Sequence, residues 1–211
     1  MNVSIDAHKK TFFRFLAIYV TSLTLITFAT IFPAHGLTYG IGSYGTCQFS
    51  SCSITLSSST TLAANITPGA GTTCTVVKDD VSVRTGSSTG YTLQVNDDDT
   101  DTSMNRSGGG AITAISGTQT SPSTLTANTW GYRVDSLSGF GAGPTSAVSN
   151  AAVPSVQFAA IPVSGSPDTI ATKNSAASVA EVTSVWYGLC SDTSIPAGSY
   201  TDMVLYTALT N

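Results

Sequence analysis

Short runs in which apolar and polar residues alternate one by one constrain this sequence more than any other feature. Residues 91–96 (Tyr-Thr-Leu-Gln-Val-Asn) and 130–135 (Trp-Gly-Tyr-Arg-Val-Asp) both follow this pattern. A period of two places successive side chains on opposite faces of a β-strand, whereas a helix needs an apolar stripe with a period near 3.6. In residues 181–190 and 199–209, apolar residues occur at both the odd- and the even-numbered positions, which we call the two parities of a strand. That pattern is typical of strands buried on both faces.

Many such runs, separated by turns rich in Gly, Pro and Ser, predict an all-β chain. Only residues 175–181 have a helical composition, and that stretch is short. Charged residues make up 9% of the chain, which leaves few Glu and Lys for the exposed faces of a helical bundle. We therefore predict a single antiparallel Ig-like β-sandwich over residues 53–211.

The first 36 residues have the order of a secretory signal. Lys9, Lys10 and Arg14 precede an apolar stretch over residues 15–32, and small residues lead up to Gly36. We predict a cleavable signal peptide over 1–36 and a lead-in segment over 37–52. The alternative is an uncleaved anchor, because 18 apolar residues nearly span a bilayer. Membrane contact is expected only through this segment, and the protein is expected to be secreted or held at the cell surface.

Four cysteines follow the predicted leader: Cys47, Cys52, Cys74 and Cys190. An even number of cysteines in an exported chain indicates disulfides, and four cysteines allow three connectivities. We favour a local Cys47–Cys52 ring and a long-range Cys74–Cys190 bond. A metal site of four thiolates remains the alternative, although the spacing lacks the paired C-x-x-C of zinc ribbons.

Removal of the leader would also remove both histidines, His8 and His35. Without imidazole, the Ser-His-Asp and Cys-His arrangements and a histidine-bound catalytic zinc are unavailable. The sequence contains no G-x-S-x-G elbow and no phosphate-binding loop of the Walker type. We therefore predict no enzyme activity and no organic cofactor. Only two aspartates buried together in a cleft, with raised pKa values, would reopen that question.

One acidic run, residues 96–101, ends the alternating strand. Asp97, Asp99 and Asp101 stand at every second position. Calcium loops use this spacing because alternate side chains can converge on one hard cation. The rest of a calcium loop is missing, since Gly108 stands where the twelfth-position glutamate belongs. The run is interpreted either as a calcium site of these three carboxylates or as a solvated loop.

Trp130 and Trp186 also allow two interpretations. An exposed indole could stack on a sugar ring, which would indicate a carbohydrate-binding module. Both residues lie among apolar neighbours, however, and we predict that they pair at the centre of the sandwich core.

Four phrases resemble exported β-sandwich proteins of bacterial cell surfaces. They are residues 89–93 (TGYTL), 128–134 (NTWGYRV), 185–188 (VWYG) and 196–202 (PAGSYTD). Over roughly residues 45–211 the chain is similar to uncharacterised secreted proteins of candidate-phylum bacteria, and more distantly to the WxL cell-surface domain and to spore-coat-U/pilin-like domains. The resemblance implies an Ig-like sandwich and a role outside the cell. Trp130-Gly131-Tyr132 and Trp186-Tyr187-Gly188 depart from Trp-x-Leu, which argues against peptidoglycan binding by the WxL route.

These observations predict a secreted or cell-surface structural or interaction protein, adhesin-like and without catalytic activity. The contact region is expected in loops 96–110 and 136–153, because loops on a rigid scaffold carry most binding sites. The expected partner is a cell-surface protein or glycan. Nucleic acid is excluded because the net charge is -4 and no cluster of Lys and Arg occurs after the leader. The alternatives are a carbohydrate-binding module and a pilus or surface-layer subunit that self-assembles by strand addition.

Overall fold

The computed structural model describes residues 53–135, 137 and 139–211, and all regular secondary structure within them is β. The predicted signal peptide over 1–36, the lead-in over 37–52 and the predicted Cys47–Cys52 pair lie outside the described residues. No helix capable of crossing a membrane occurs in the described ranges. In chain order the strands are β1 (Ile54–Ser57), β2 (Thr73–Thr85), β3 (Tyr91–Asp97), β4 (Met104–Arg106), β5 (Ala111–Ala114), β6 (Ser123–Thr124), β7 (Thr129–Val134), β8 (Val148–Ala151), β9 (Gln157–Phe158), β10 (Asp168–Lys173), β11 (Ala177–Ser191), β12 (Tyr200–Thr201) and β13 (Val204–Thr210).

The largest sheet is built around the two longest strands, β2 and β11. Its order is β1-β2-β11-β7-β5-β4-β12. β8 pairs with the same edge of β2 as β1 does, but near the start of β2 rather than near its end. Cys74 of β2 lies directly opposite Cys190 of β11, and a disulfide joins them. This is the long-range bond that the sequence analysis predicts. It lies within one sheet, whereas the conserved bond of antibody domains joins two sheets.

A three-stranded sheet of order β10-β3-β13 contributes to the same core as the large sheet. Leu93, Val95 and Ile170 of the small sheet and Val83 and Val185 of the large one are fully buried in that core. The alternation predicted for residues 91–95 is observed, because Tyr91, Leu93 and Val95 are buried while the residues between them are half-buried. The apolar parity of β3 therefore faces the large sheet.

Tyrosine hydroxyls connect the two sheets by hydrogen bonds. The oxygens of Tyr187 on β11 and Tyr206 on β13 are 2.5 Å apart. Tyr132 on β7 donates to Oδ2 of Asp168 on β10 at 2.6 Å. Burial raises the pKa of all three phenols, so they remain neutral donors. These bonds allow the phenol oxygens to be buried without an unsatisfied polar group.

The prediction of a purely antiparallel fold is wrong, and the one stretch of helical composition is a strand. The sheet is not purely antiparallel, because β5 pairs with β7 in parallel. The chain between them, residues 115–128, returns to the end from which β5 started, and such a crossover makes neighbouring strands parallel. Residues 177–181, in the stretch with helical composition, begin β11. Pairing with β2 outweighs the weak helical propensity of Ala and Glu there.

The large sheet is buried on both faces near its centre. Trp130 packs in the core shared with the small sheet, where its ring stacks on that of Tyr187 with centroids 6.5 Å apart. Trp186 belongs to a second cluster, with Val76, Ile115 and Phe158. Both indoles are buried, as predicted, but the predicted pairing of the two is wrong. The pairings Trp130 with Leu189 and Trp186 with Arg133 place the two indoles on opposite faces of the sheet.

The prediction of burial on both faces holds only for part of 181–190, since Val182 is 61% exposed, and it is wrong for 199–209. Residues Val185–Ser191 of β11 are almost all buried, because β11 lies between β2 and β7. In β13, Val204, Tyr206 and Ala208 face inward, while Leu205 and Leu209 are 41% exposed. Within the described residues β13 pairs only with β3, so it is an edge strand with one solvent-facing side.

Candidate functional site

Three aspartates from two separate parts of the chain meet where β3 ends and β13 begins. Asp97 is the last residue of β3 and lies opposite Val204, the first residue of β13. Asp202 precedes β13 by two residues and so lies beside the end of β3. One carboxylate oxygen from each of Asp97, Asp98 and Asp202 lies within 4.8 Å of the other two. We refer to these three residues as the acidic site.

Backbone hydrogen bonds hold the acidic site in place. The amide of Asp98 donates to the carbonyl of Met203 at 3.2 Å, which ties the end of β3 to the segment before β13. Oδ1 of Asp97 accepts from the amide of Asp99 at 3.0 Å. Oδ1 of Asp202 accepts from the amide of Met203 at 2.9 Å. We refer to Asp97 and Asp202 as the inner carboxylates. In each of them, a backbone hydrogen bond to one oxygen fixes the orientation of the group.

The other oxygen of each inner carboxylate accepts no hydrogen bond from a donor group of the described residues. Asp97 is fully buried, and its Oδ2 and that of Asp202 are shielded from solvent, so only a proton shared by the two carboxyls can join them. The ion pairs observed in the described part of the chain do not include any residue of the acidic site. A buried carboxylate without a counter-charge or a donor is costly, because its desolvation is not compensated.

Burial changes the acidity of both inner groups. Burial, and then the nearby charge of Asp97, raises the pKa of the Asp202 carboxyl to about 7. Burial also raises the pKa of Asp97, with a further contribution from the charge of Asp99. Desolvation and like charge both disfavour the ionised form. A positive charge placed among these oxygens would remove that penalty.

The acidic site differs from the set Asp97, Asp99 and Asp101 that the spacing predicts. Oδ1 of Asp99 accepts from the amide of Asp101 at 2.6 Å, and Oδ1 of Asp101 accepts from the amide of Ser103 at 3.2 Å. Asn105 also donates to Asp101, and these hydrogen bonds lower the pKa of the Asp101 carboxyl. Asp99 and Asp101 thus shape an exposed turn, and the structure brings only Asp97 of the predicted set into the acidic site.

Sequence reasoning missed Asp202, and the reason is topological. Asp202 is more than a hundred positions from Asp97, and nothing in its local sequence indicates a ligand role. The available signal was positional, since Asp97 ends one strand and Asp202 stands just before another. That signal becomes useful only when β13 is known to pair antiparallel with β3.

The oxygens of the acidic site lie closer together than the carboxyl groups of a glycosidase pair. The carboxyl pairs of glycosidases stand about 5 to 9.5 Å apart to admit a sugar and its attacking group. The oxygens of the acidic site lie within 4.8 Å of one another. A surface pocket lined by Gln119, Thr120, Leu137 and Gly139 contains none of these aspartates. This pocket therefore does not adjoin the buried pair with raised pKa values.

Neither tryptophan presents a free ring to a sugar. Trp130 is 4% and Trp186 is 5% exposed. Nε1 of Trp130 donates to the carbonyl of Thr102 at 2.9 Å, and Nε1 of Trp186 donates to Oδ2 of Asp135 at 2.9 Å. Buried indoles usually satisfy their N–H in this way.

The two loops predicted to make contacts lie at opposite ends of β7. The first, residues 96–110, passes Trp130 at the start of β7, where Thr102 accepts the indole hydrogen bond. The second, residues 136–153, follows the end of β7 at Val134. Six strand residues separate these ends. Neither segment is a loop throughout, because β4 lies within the first and β8 within the second. The two segments provide two separate surfaces rather than one.

A buried arginine supports the second loop. Arg133 is fully buried although its sequence position is on the polar parity of β7. Its guanidinium donates to the carbonyl of Phe140 at 3.1 Å and to that of Gly141 at 3.0 Å, and it pairs with Asp135 at 2.8 Å. The Phe140 ring also lies 5.8 Å from the guanidinium carbon. The loop thus folds back over the face of β7 that carries its polar residues.

Comparison with known proteins gives no match to the chain among family models, curated proteins or solved structures. Its function is therefore inferred from the chemistry of its own residues.

Proposed function

We propose that this chain is an exported, non-catalytic structural or interaction domain of a bacterial cell surface. In this proposal the signal peptide over 1–36 is removed and residues 53–211 act as an adhesin-like, Ig-like β-sandwich. The observation that supports it most is the buried Cys74–Cys190 disulfide between the two longest strands. Disulfides persist in oxidising compartments and are rare in the cytosol, so a buried structural disulfide favours a location outside the cell.

Two polar loops on a rigid sheet support a role in contact rather than in chemistry. Residues 98–101 and 107–110 of the first loop are exposed, and so are residues 145–147 of the second. Hydrogen bonds from the buried Arg133 guanidinium to two backbone carbonyls fix the start of the second loop. Loops held in this way by a scaffold are suited to binding a partner surface. We propose that the partner is a cell-surface protein or glycan, contacted at one of these two surfaces.

The test places one arginine in each loop and one on a strand. Ser107→Arg and Ser146→Arg change an exposed residue of the first and second loop, and Ser57→Arg changes an equally exposed residue of β1. Purified protein is incubated with washed cells of the producing organism, and the bound fraction is measured after pelleting. We expect one loop variant to lose at least about fivefold in bound fraction, while S57R matches the unchanged protein.

If all three variants bind the cells as well as the unchanged protein does, the loops are not the contact surface. Recovery of the protein from the cytosol with free thiols would remove the extracellular role altogether. Circular dichroism and the denaturation midpoint of each variant show whether a loss of binding comes from the loop or from unfolding.

The unpaired edge of β13 favours a pilus or surface-layer subunit as the second candidate. β13 pairs with β3 alone in the described part of the chain, and Leu205 and Leu209 are exposed on its outer face. An open edge can accept a strand from a neighbouring molecule. Sedimentation under native conditions separates the two candidates, because the subunit forms polymers that Leu205→Lys disrupts, while the interaction domain remains a single species. No comparable observation favours a carbohydrate-binding module, since both indoles are buried.

A further inference from the structure

We propose that the acidic site binds a single calcium ion, with Asp97, Asp98 and Asp202 as its protein ligands. This inference goes beyond the proposed function and does not depend on it, because it rests on the side chains at the junction of β3 and β13.

The spacing of the three oxygens fits one calcium coordination sphere. Calcium binds carboxylate oxygens at about 2.3 to 2.6 Å, so ligands on opposite sides of the ion stand about 4.6 to 5.2 Å apart. The oxygens of Asp97, Asp98 and Asp202 all lie within 4.8 Å of one another. A magnesium ion binds at about 2.0 to 2.1 Å and keeps most of its water, so it is less suited to direct contact with a buried carboxylate.

The state of Asp97 is an independent indication of a ligand. Asp97 is fully buried, and no N–H or hydroxyl group in the part of the chain that the structure describes donates to its Oδ2. Oδ2 of Asp202 is in the same condition. Buried polar atoms are nearly always satisfied. Among the described residues no donor reaches either oxygen apart from a proton that the two carboxyls can share, and the negative charge that remains on the pair calls for a counter-charge. A cation between these two oxygens provides it.

The site also has an open side. Asp98 is exposed and Asp202 is half-buried, while Asp97 forms the closed end. Calcium requires six to eight oxygen ligands, so water must complete a shell that begins with three carboxylates. A partly hydrated shell gives modest affinity. We therefore expect a dissociation constant of about 0.1 to 1 mM, as in extracellular calcium modules.

Calcium at this position would cross-link two parts of the fold. Asp97 and Asp98 belong to the end of β3, and Asp202 lies just before β13. The complete ligand set exists only when β13 is paired with β3, so the ion binds the folded chain in preference to the unfolded one. Such binding stabilises the fold as the calcium concentration rises.

The test uses the full chain with its Cys74–Cys190 bond intact, stripped of metal with a chelator and transferred to metal-free buffer. Calcium chloride is titrated by isothermal calorimetry, with magnesium chloride in a parallel titration. Asp202→Asn removes a proposed ligand, and Asp101→Asn removes a carboxylate of the same loop that lies outside the acidic site. We expect a single calcium per chain, at least about tenfold weaker binding in D202N, and a change below about twofold in D101N.

Three results would overturn the proposal. The first is no calcium binding by the folded chain at about 5 mM calcium. The second is an equal loss in D101N and D202N, which would favour the set predicted from spacing. The third is magnesium binding as tight as calcium binding. If D202N does not fold, Asp98→Asn at the exposed ligand replaces it, and unchanged calcium affinity in folded D98N would also contradict the proposal.

Discussion

Replacing Arg133 with methionine should destabilise the protein and release the loop that follows β7. The side chain is fully buried and donates to the carbonyls of Phe140, Gly141 and Gln157. It also pairs with Asp135 at 2.8 Å. Methionine keeps much of the apolar stem of arginine, so the change mainly removes the charge and the hydrogen-bond donors.

The size of the effect follows from what each partner can do without the guanidinium. Asp135 is 47% exposed at its side chain, so water can solvate most of the charge left behind. The carbonyl of Phe140 belongs to a fully buried residue and would lose its donor. An unsatisfied buried acceptor costs about 1 to 3 kcal/mol, and breaking a fully buried ion pair costs about 3 to 5 kcal/mol. We therefore expect a loss of about 2 to 4 kcal/mol in the free energy of unfolding.

The assay is equilibrium unfolding in urea at neutral pH, with limited proteolysis as the second readout. Arg84→Met is the matched control, because Arg84 is an exposed arginine on β2 of the same sheet. The control should change the free energy of unfolding by less than about 0.5 kcal/mol. R133M should also be cleaved faster between residues 137 and 147, since its loop has lost its anchor. Equal stability and equal cleavage of R133M and R84M would refute this account of the loop.

Two further predictions concern packing and pH. Gly131→Ala places a Cβ 2.5 Å from the carbonyl oxygen of Ala159. Differential scanning calorimetry should therefore show a loss above about 2 kcal/mol in the free energy of unfolding. Gly71→Ala is the control, because a Cβ there meets open space and the variant should unfold like the unchanged protein. In metal-free buffer the free energy of unfolding should fall as pH rises from about 4 to about 7, because the raised pKa values of Asp97 and Asp202 make the folded chain hold protons that the unfolded chain releases. Urea titrations across that range should show a smaller fall in the free energy of unfolding for Asp202→Asn. If the variant loses stability with pH as steeply as the unchanged protein, that result would contradict the buried position of the Asp202 carboxylate.

The alternating runs predict the strands well because their cause is local. The pattern over residues 91–95 decides which side chains face the core, and β3 follows it. The central position of β11 is readable in part, since residues 181–190 are apolar at both odd and even positions and the structure buries Val185–Ser191 on both faces. Pairing partners are different, because they depend on residues far apart in the chain. The parallel β5–β7 pair has no signature within either strand.

The same limit explains which site residues the sequence indicates. The acidic run is visible, and Asp97 within it belongs to the acidic site. Asp202 becomes its neighbour only through the pairing of β13 with β3. The alternating pattern puts Arg133 among the polar residues of β7, which is correct for the strand alone. The loop that covers this face satisfies the guanidinium with backbone carbonyls. The alternation of apolar and polar residues along a strand does not predict the conformation of such a loop.

Peptide mapping of the exported protein by mass spectrometry, without reduction, measures the compartment in which this domain works. A chain that begins at Leu37 and yields a linked peptide pair containing Cys74 and Cys190 is the expected result. A full-length chain recovered inside the cell, with both thiols free to alkylate, would contradict an extracellular role for this fold.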